Sequence, residues 1–291
     1  MALSVRQQRE AQRSRVAAYR GMIAENEEKA GEVLEAIDGW LASYDDFEAS
    51  APATQRLIRA LSAQKDEKAA KILRYKDQLC KKTFWMYGGD GWAYDIGFGG
   101  LDHVIASGED INVLIVDTEV YSNTGGQSSK ATPVGAVAQF AASGKKRPKK
   151  DIGGMLMTYG NVYVAQVAMG ADNAQLIKAV HEAQSFNGPS VIIAYAPCQE
   201  HGLRCGMEKV QDEMKRAVEA GYWFLYRYNP DAQPKFTLDS KAPSMPYEEF
   251  LDGEVRYASL RRTFPENAKT LFEQGAQLAK ERYEKLKQNE Q

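Results

Sequence analysis

An α/β fold, with a mostly parallel sheet sandwiched by helices, is what this sequence predicts. Short apolar runs without polar alternation, at 84–88, 112–117 and 190–196, read as strands buried on both faces. Stretches with helical spacing separate them, and polar, glycine-containing turns end the first two. An N-terminal helical region and a C-terminal α/β extension flank this core.

Residues 1–82 are rich in Ala, Glu, Lys, Gln and Arg, which favour helices. Val16, Tyr19, Met22 and Ile23 recur at helical spacing, as do Val33, Leu34, Ile37 and Leu41. Ser50-Ala51-Pro52 then precedes Leu57, Ile58 and Leu61. The expectation is a helical hairpin plus a further helix, serving either as a layer over the sheet or as a docking surface, without chemistry of its own.

Residues 83–200 form the expected α/β core, with strands at 84–88, 112–117, 153–158 and 190–196 and a helix starting within 162–167. Ala93 to Ala106, with Ile96, Leu101, Val104 and Ile105, reads as the crossover helix joining the first two strands. Asp172-Asn173-Ala174 caps a helix carrying Leu176, Ile177, Ala179, Val180 and Ala183, which ends at Asn187-Gly188-Pro189. Residues 201–291, the extension expected to pack on this core, carry a helix over 207–220, the aromatic run Tyr222 to Tyr228 and a last helix over 266–288.

A net charge of −2 with 26% charged residues gives no nucleic-acid footprint. No apolar run approaches the roughly 20 residues of a membrane span, and the polar N-terminus has no secretory core, so the cytoplasm is the expected compartment. Cys80, Cys198 and Cys205 are too few and irregular for a disulfide framework and are expected reduced.

The polar turns carry the chemistry. Gly89-Asp90-Gly91 ends the first strand and Asp117-Thr118-Glu119-Val120-Tyr121-Ser122-Asn123-Thr124-Gly125-Gly126 the second. A right-handed crossover puts both ends at one sheet edge, where ligands of open α/β sheets bind, so Asp90 and Thr118, 118 − 90 = 28 residues apart, could meet. Magnesium takes near-octahedral oxygens, commonly one or two carboxylates with phosphates and water. Asp90, the Thr118 hydroxyl and the Val120 carbonyl would supply three and leave room for a diphosphate. Glycines keep the backbone close, and a Gly125-Gly126 turn could aim N–H groups at anionic oxygens. The bland alternatives are that Asp90 caps the following helix and that Asn123-Thr124 forms an Asx-type turn.

GGDGWAYDIGFGGLDHV and DTEVYSNTGGQSSKATP, with the runs at 159–166, 195–198 and 221–230, resemble pyruvate:ferredoxin (flavodoxin) oxidoreductase over about residues 83–265. The resemblance implies the C-terminal, thiamine diphosphate-binding portion of that enzyme, a fragment or a separately encoded subunit. It implies that Asp90, Thr118 and the Val120 carbonyl hold Mg²⁺. Gly89, Asp90, Gly91, Trp92, Thr118, Glu119, Val120, Tyr121, Ser122 and Asn123 would line the cofactor, with Asn123 nearest the reactive thiazolium. It also implies that Cys198 is one ligand of a 4Fe-4S cluster, whose other three ligands come from elsewhere. The reaction implied is oxidative decarboxylation of pyruvate to acetyl-CoA and CO2. Coenzyme A, ferredoxin or flavodoxin, and the remaining domains or subunits of a homodimeric enzyme would be the partners, and this chain alone is expected to be inactive. A non-catalytic diphosphate-binding module is the alternative. A dinucleotide-binding domain fits less well, because no G-x-G-x-x-G follows the first strand.

His103 is expected to pack or cap, and His201 either to tune a nearby redox centre or to sit solvated in a loop. Cys80 and Cys205 are expected to be structural. The basic run Lys145-Lys146-Arg147-Pro148-Lys149-Lys150 reads either as a solvated loop or as a patch that steers an acidic partner.

Overall fold

The computed structural model describes residues 1–24 and 27–290, with backbone alone for 27–30. Two compact units divide the chain, Met1–Phe84 and Trp85–Gln291. Among its described residues the first holds the α-helices α1 (Ala2–Ile23), α2 (Glu27–Ala42), α3 (Ser50–Ser62) and α4 (Glu67–Arg74). Its own core consists of residues at helical spacing, including Val16 and Tyr19, Ile37 and Trp40, Leu57 and Leu61, and Ala69 and Ile72. Asp66 caps α4 by accepting from Ala69 N at 2.9 Å and also accepts the Tyr19 hydroxyl at 2.7 Å, tying α1 to α4. The region expected to hold a helical hairpin plus a further helix contains these four helices, the eight-residue α4 among them.

The second unit is built on a six-stranded sheet of order β1-β2-β6-β5-β7-β8. Its strands are β1 (Trp85–Gly89), β2 (Asn112–Asp117), β5 (Tyr163–Val167), β6 (Ser190–Tyr195), β7 (Tyr226–Tyr228) and β8 (Phe236–Leu238). The first four in spatial order pair in parallel, and β7 and β8 join antiparallel. Within residues 201–290, β7 and β8 therefore extend the sheet, in the same compact unit as the preceding core. A two-stranded ribbon, β3 (Val120–Tyr121) with β4 (Gln127–Ser128), follows β2. The remaining helices are α5 (Phe98–Ala106), α6 (Ile152–Met157), α7 (Asn173–Ser185), α8 (Val210–Glu219), α9 (Tyr247–Leu251), α10 (Val255–Thr263) and α11 (Pro265–Gln288).

One expectation is reversed. Residues 152–157 form helix α6, not a strand, and 163–167 form strand β5, not a helix. Asp151 starts α6 by accepting from Gly154 N at 2.9 Å, and Gly153 leaves room for the Tyr226 hydroxyl, which an added Cβ would overlap. All five β5 residues are buried, and Val164 and Val167 suit a strand covered on both faces. The predicted crossover helix is also split, into a π-helical turn Gly91–Ile96 and α5. Among the described residues no helix is long and apolar enough to cross a membrane.

Candidate functional site

Strand register brings the predicted groups to one edge. Gly89 pairs with Val116, and Val116 with Ala194, so β1, β2 and β6 end level with one another. Asp90, Thr118 and Cys198 follow those ends. Thr118 donates its hydroxyl to Asp90 Oδ1 at 2.8 Å and lies 3.1 Å from the Val120 carbonyl oxygen. An octahedral magnesium with oxygens at about 2.05 Å has neighbouring oxygens about 2.9 Å apart, so both separations match an octahedral edge. Asp90 is buried, and Ser129 Oγ, which the sequence reading did not single out, donates to its Oδ2 at 2.9 Å. Burial, and secondarily the nearby Asp117, push the Asp90 carboxyl up to about 6, a cost a bound dication would relieve. The oxygens fit magnesium.

The turns around this cluster differ from the expectation in their glycines. Gly91 lies against the Tyr121 ring, and Gly88 and Gly97 lie against Trp92, so an added Cβ would overlap a ring at all three, whereas at Gly89 it would make only ordinary contact with the Val116 carbonyl at 3.9 Å. Trp92 is thus packed between two glycines. The 122–126 segment is the tip of the β3–β4 ribbon, and Gly125 and Gly126 have φ of +115° and +75°. The Gly126 N–H is already donated to the Tyr121 carbonyl at 2.9 Å, so it is not among the N–H groups facing outward. Asn123 is exposed at this tip.

The carboxylate of Glu119, a residue expected among the cofactor contacts, is buried among protein partners. Lys149 Nζ lies 3.0 Å from Oε1, and Tyr222 Oη and Arg256 Nη2 donate to Oε2 at 2.6 and 2.7 Å. Lys149 also pairs with Asp117 Oδ2 at 2.8 Å, and Arg256 with Glu254 at 2.6 Å. The two carboxylates sharing Lys149 titrate in opposite directions. Burial drives Asp117 upward against the single lysine. The same burial is overcome at Glu119 by Lys149 and Arg256 together, which hold it well below the usual carboxylate range. Neither Lys149, Tyr222 nor Arg256 was a predicted site residue. In the sequence Lys149 is one of a charge run, and the other two stand more than a hundred positions beyond Glu119.

Cys198 Sγ lies 3.3 Å from Ser122 Oγ, whose hydroxyl reaches Thr118 Oγ1 at 2.8 Å, so the sulfur sits two hydrogen bonds from the oxygen cluster. His201 is fully buried, and its Nδ1 accepts the Cys198 N–H at 3.1 Å, which excludes the solvated-loop alternative. Burial, with Arg256 nearby, lowers its pKa to about 4, consistent with a neutral ring. Cys205 is exposed, and among the described residues no three His, Cys, Asp or Glu side chains group to hold a metal. One carboxylate suffices for magnesium, but a 4Fe-4S cluster needs a set of ligands that these residues do not supply.

Comparison with known proteins finds similar sequences. Residues 68–194 match the thiamine pyrophosphate enzyme, C-terminal TPP binding domain. The chain is 53% identical to the pyruvate-flavodoxin oxidoreductase of Klebsiella pneumoniae over 258 residues, 87% of this chain and 22% of that protein. It is also 53% identical to the pyruvate:ferredoxin oxidoreductase of Moorella thermoacetica over 263 residues, again 87% of this chain and 22% of the relative. A solved 2-oxoglutarate:ferredoxin oxidoreductase from Magnetococcus marinus matches at 19% identity and a TM-score of 0.39 over 60% of each chain, too distant to carry an argument. The chain spans about a fifth of the length of these two curated relatives. Within this chain, residues 68–194 therefore resemble a thiamine pyrophosphate-binding domain, and most of the chain is similar to one portion of pyruvate:ferredoxin (flavodoxin) oxidoreductases.

Proposed function

We propose that this chain binds magnesium and thiamine diphosphate through Asp90, the Thr118 hydroxyl and the Val120 carbonyl. Gly89, Gly91, Trp92, Tyr121, Ser122 and Asn123 line the cofactor, and Asn123 stands nearest its reactive ring. Thiamine diphosphate, when bound, supplies the carbanion chemistry of 2-oxoacid decarboxylation. The chain's share is to neutralise and orient the diphosphate. The Asp90 carboxylate, the Thr118 hydroxyl oxygen and the Val120 carbonyl would hold the metal, which would supply charge neutralisation to the diphosphate, and Trp92, set between Gly88 and Gly97, fixes the turn that presents Asp90. The complete enzyme oxidises pyruvate to acetyl-CoA and CO2 with coenzyme A and passes electrons to ferredoxin or flavodoxin, acting as a cytoplasmic homodimer.

The convergence of Asp90 Oδ1, Thr118 Oγ1 and the Val120 oxygen at octahedral-edge distances carries this reading. Calorimetric titration of the chain with thiamine diphosphate and Mg²⁺ tests it. Asp90→Asn, close to isosteric, and Asp90→Ala are both expected to abolish magnesium-dependent binding while circular dichroism shows an intact fold. Unchanged binding in the Asn variant would reject the clamp.

The absence of a cluster-sized ligand set among the described residues favours a further point, that the chain alone binds cofactor without turnover. Cys198 then contributes one ligand to a 4Fe-4S cluster completed by other portions of the enzyme. Adding those portions to the chain should restore pyruvate oxidation, and activity of the chain by itself would contradict this.

A further inference from the structure

Glu119 stands between Thr118 and Val120, the two residues proposed to give magnesium its neutral oxygens. Its φ is +60°, and only Phe140 shares positive φ with it among described residues other than glycine. That region is unfavourable for a residue with a Cβ and persists only where the surroundings impose it. Here every polar atom of the residue is engaged. The N–H donates to Asp117 Oδ1 at 3.1 Å, and the carbonyl accepts from Thr132 Oγ1 at 2.5 Å. Lys149 holds Oε1, while Arg256 and Tyr222 hold Oε2. An extended residue at 119 would continue the direction of β2, whereas the left-handed turn folds the chain back so that Thr118 Oγ1 and the Val120 oxygen lie 3.1 Å apart.

We propose that Glu119 is a positioning residue for the metal: its buried carboxylate, gripped by Lys149, Arg256 and Tyr222, sets the separation of the Thr118 and Val120 oxygens. This rests on the clamp proposed above. Glu119 touches no cofactor itself and acts through its two neighbours, as outer-shell partners of metal ligands do. Neutralising its carboxylate leaves Lys149 2.8 Å from Asp117 and Arg256 2.6 Å from Glu254.

The test measures the Mg²⁺ dissociation constant of the chain at saturating thiamine diphosphate, together with amide hydrogen exchange over residues 117–121 without ligand. The proteins compared are wild type, Glu119→Gln, Glu119→Gly and Arg227→Gln. The glycine variant adopts positive φ freely but has no carboxylate to grip. Arg227→Gln breaks ion pairs of 2.7 and 2.8 Å to Glu182 and Asp239, outside the clamp, and controls for general destabilisation. Both Glu119 variants should weaken Mg²⁺ binding roughly 10- to 100-fold and speed exchange at 117–121. Arg227→Gln should lower the melting temperature and leave the Mg²⁺ constant at the wild-type value. Wild-type affinity in Glu119→Gly, or unchanged exchange in Glu119→Gln, overturns the positioning role alone. A wild-type chain without magnesium-dependent binding overturns the clamp itself, and the positioning role with it.

Discussion

Lys149 lies between two buried carboxylates, and removing it would leave both with one cation fewer. Its ammonium is 2.8 Å from Asp117 and 3.0 Å from Glu119, and its side chain is only 13% exposed. Breaking such a buried pair from one side costs about 3–5 kcal/mol. Lys149→Ala is therefore expected to lower unfolding stability by that order in denaturant titration, while exposed Lys146→Ala stays within about 0.5 kcal/mol. Lys145 and Lys150 also turn inward, to the Ser129 and Tyr94 carbonyls at 2.6 and 3.2 Å. Sequence could show the charge run but not this division, because burial at 149 depends on acids that only the fold delivers. Glu254 gives a pH signature. Burial outweighs its pairing with Arg256 and raises its pKa to about 7 from 4.5, so the native state holds a proton between those values that the unfolded chain has lost. Its stabilising contribution is complete below pH 4.5 and is lost as pH rises through about 7, a change of roughly 3 kcal/mol. Stability curves of wild type and Glu254→Gln should diverge across that window. Parallel curves would mean that Glu254 titrates normally.

Among the elements, α7 shows where local signals suffice. Asp172 accepts from Gln175 N at 2.9 Å, as its position before an amphipathic run implied, and Asp172→Ala should cost about 1 kcal/mol by chemical denaturation. The pair α6 and β5 shows where they do not. Both are short apolar runs, and their composition separates them: Gly153 and Gly154 behind a capping Asp151, against a run with Val162, Val164 and Val167. The oxygen cluster was legible because its groups follow strand ends and a crossover fixes which ends meet. Ser129 and Glu119 were harder, since a serine beyond a ribbon and a glutamate inside a motif look like ligands or loop until their partners are known.

At the scale of the molecule, Met1–Phe84 closes its own apolar core, with Trp40 donating to Thr54 and to the Leu79 carbonyl, both at 3.2 Å. Residues 1–84 made alone should therefore melt cooperatively as a helical protein by circular dichroism; a gradual, non-cooperative loss of helix would contradict this. The second unit has a different dependence. The Glu119 turn is gripped by Arg256, 137 residues further along the chain. During synthesis, Asp90, Thr118 and Val120 leave the ribosome long before Arg256 exists. On the proposed clamp, a nascent chain stalled short of residue 256 would carry the whole diphosphate motif without the Arg256 grip, and is expected to bind the cofactor with Mg²⁺ more weakly than the full chain.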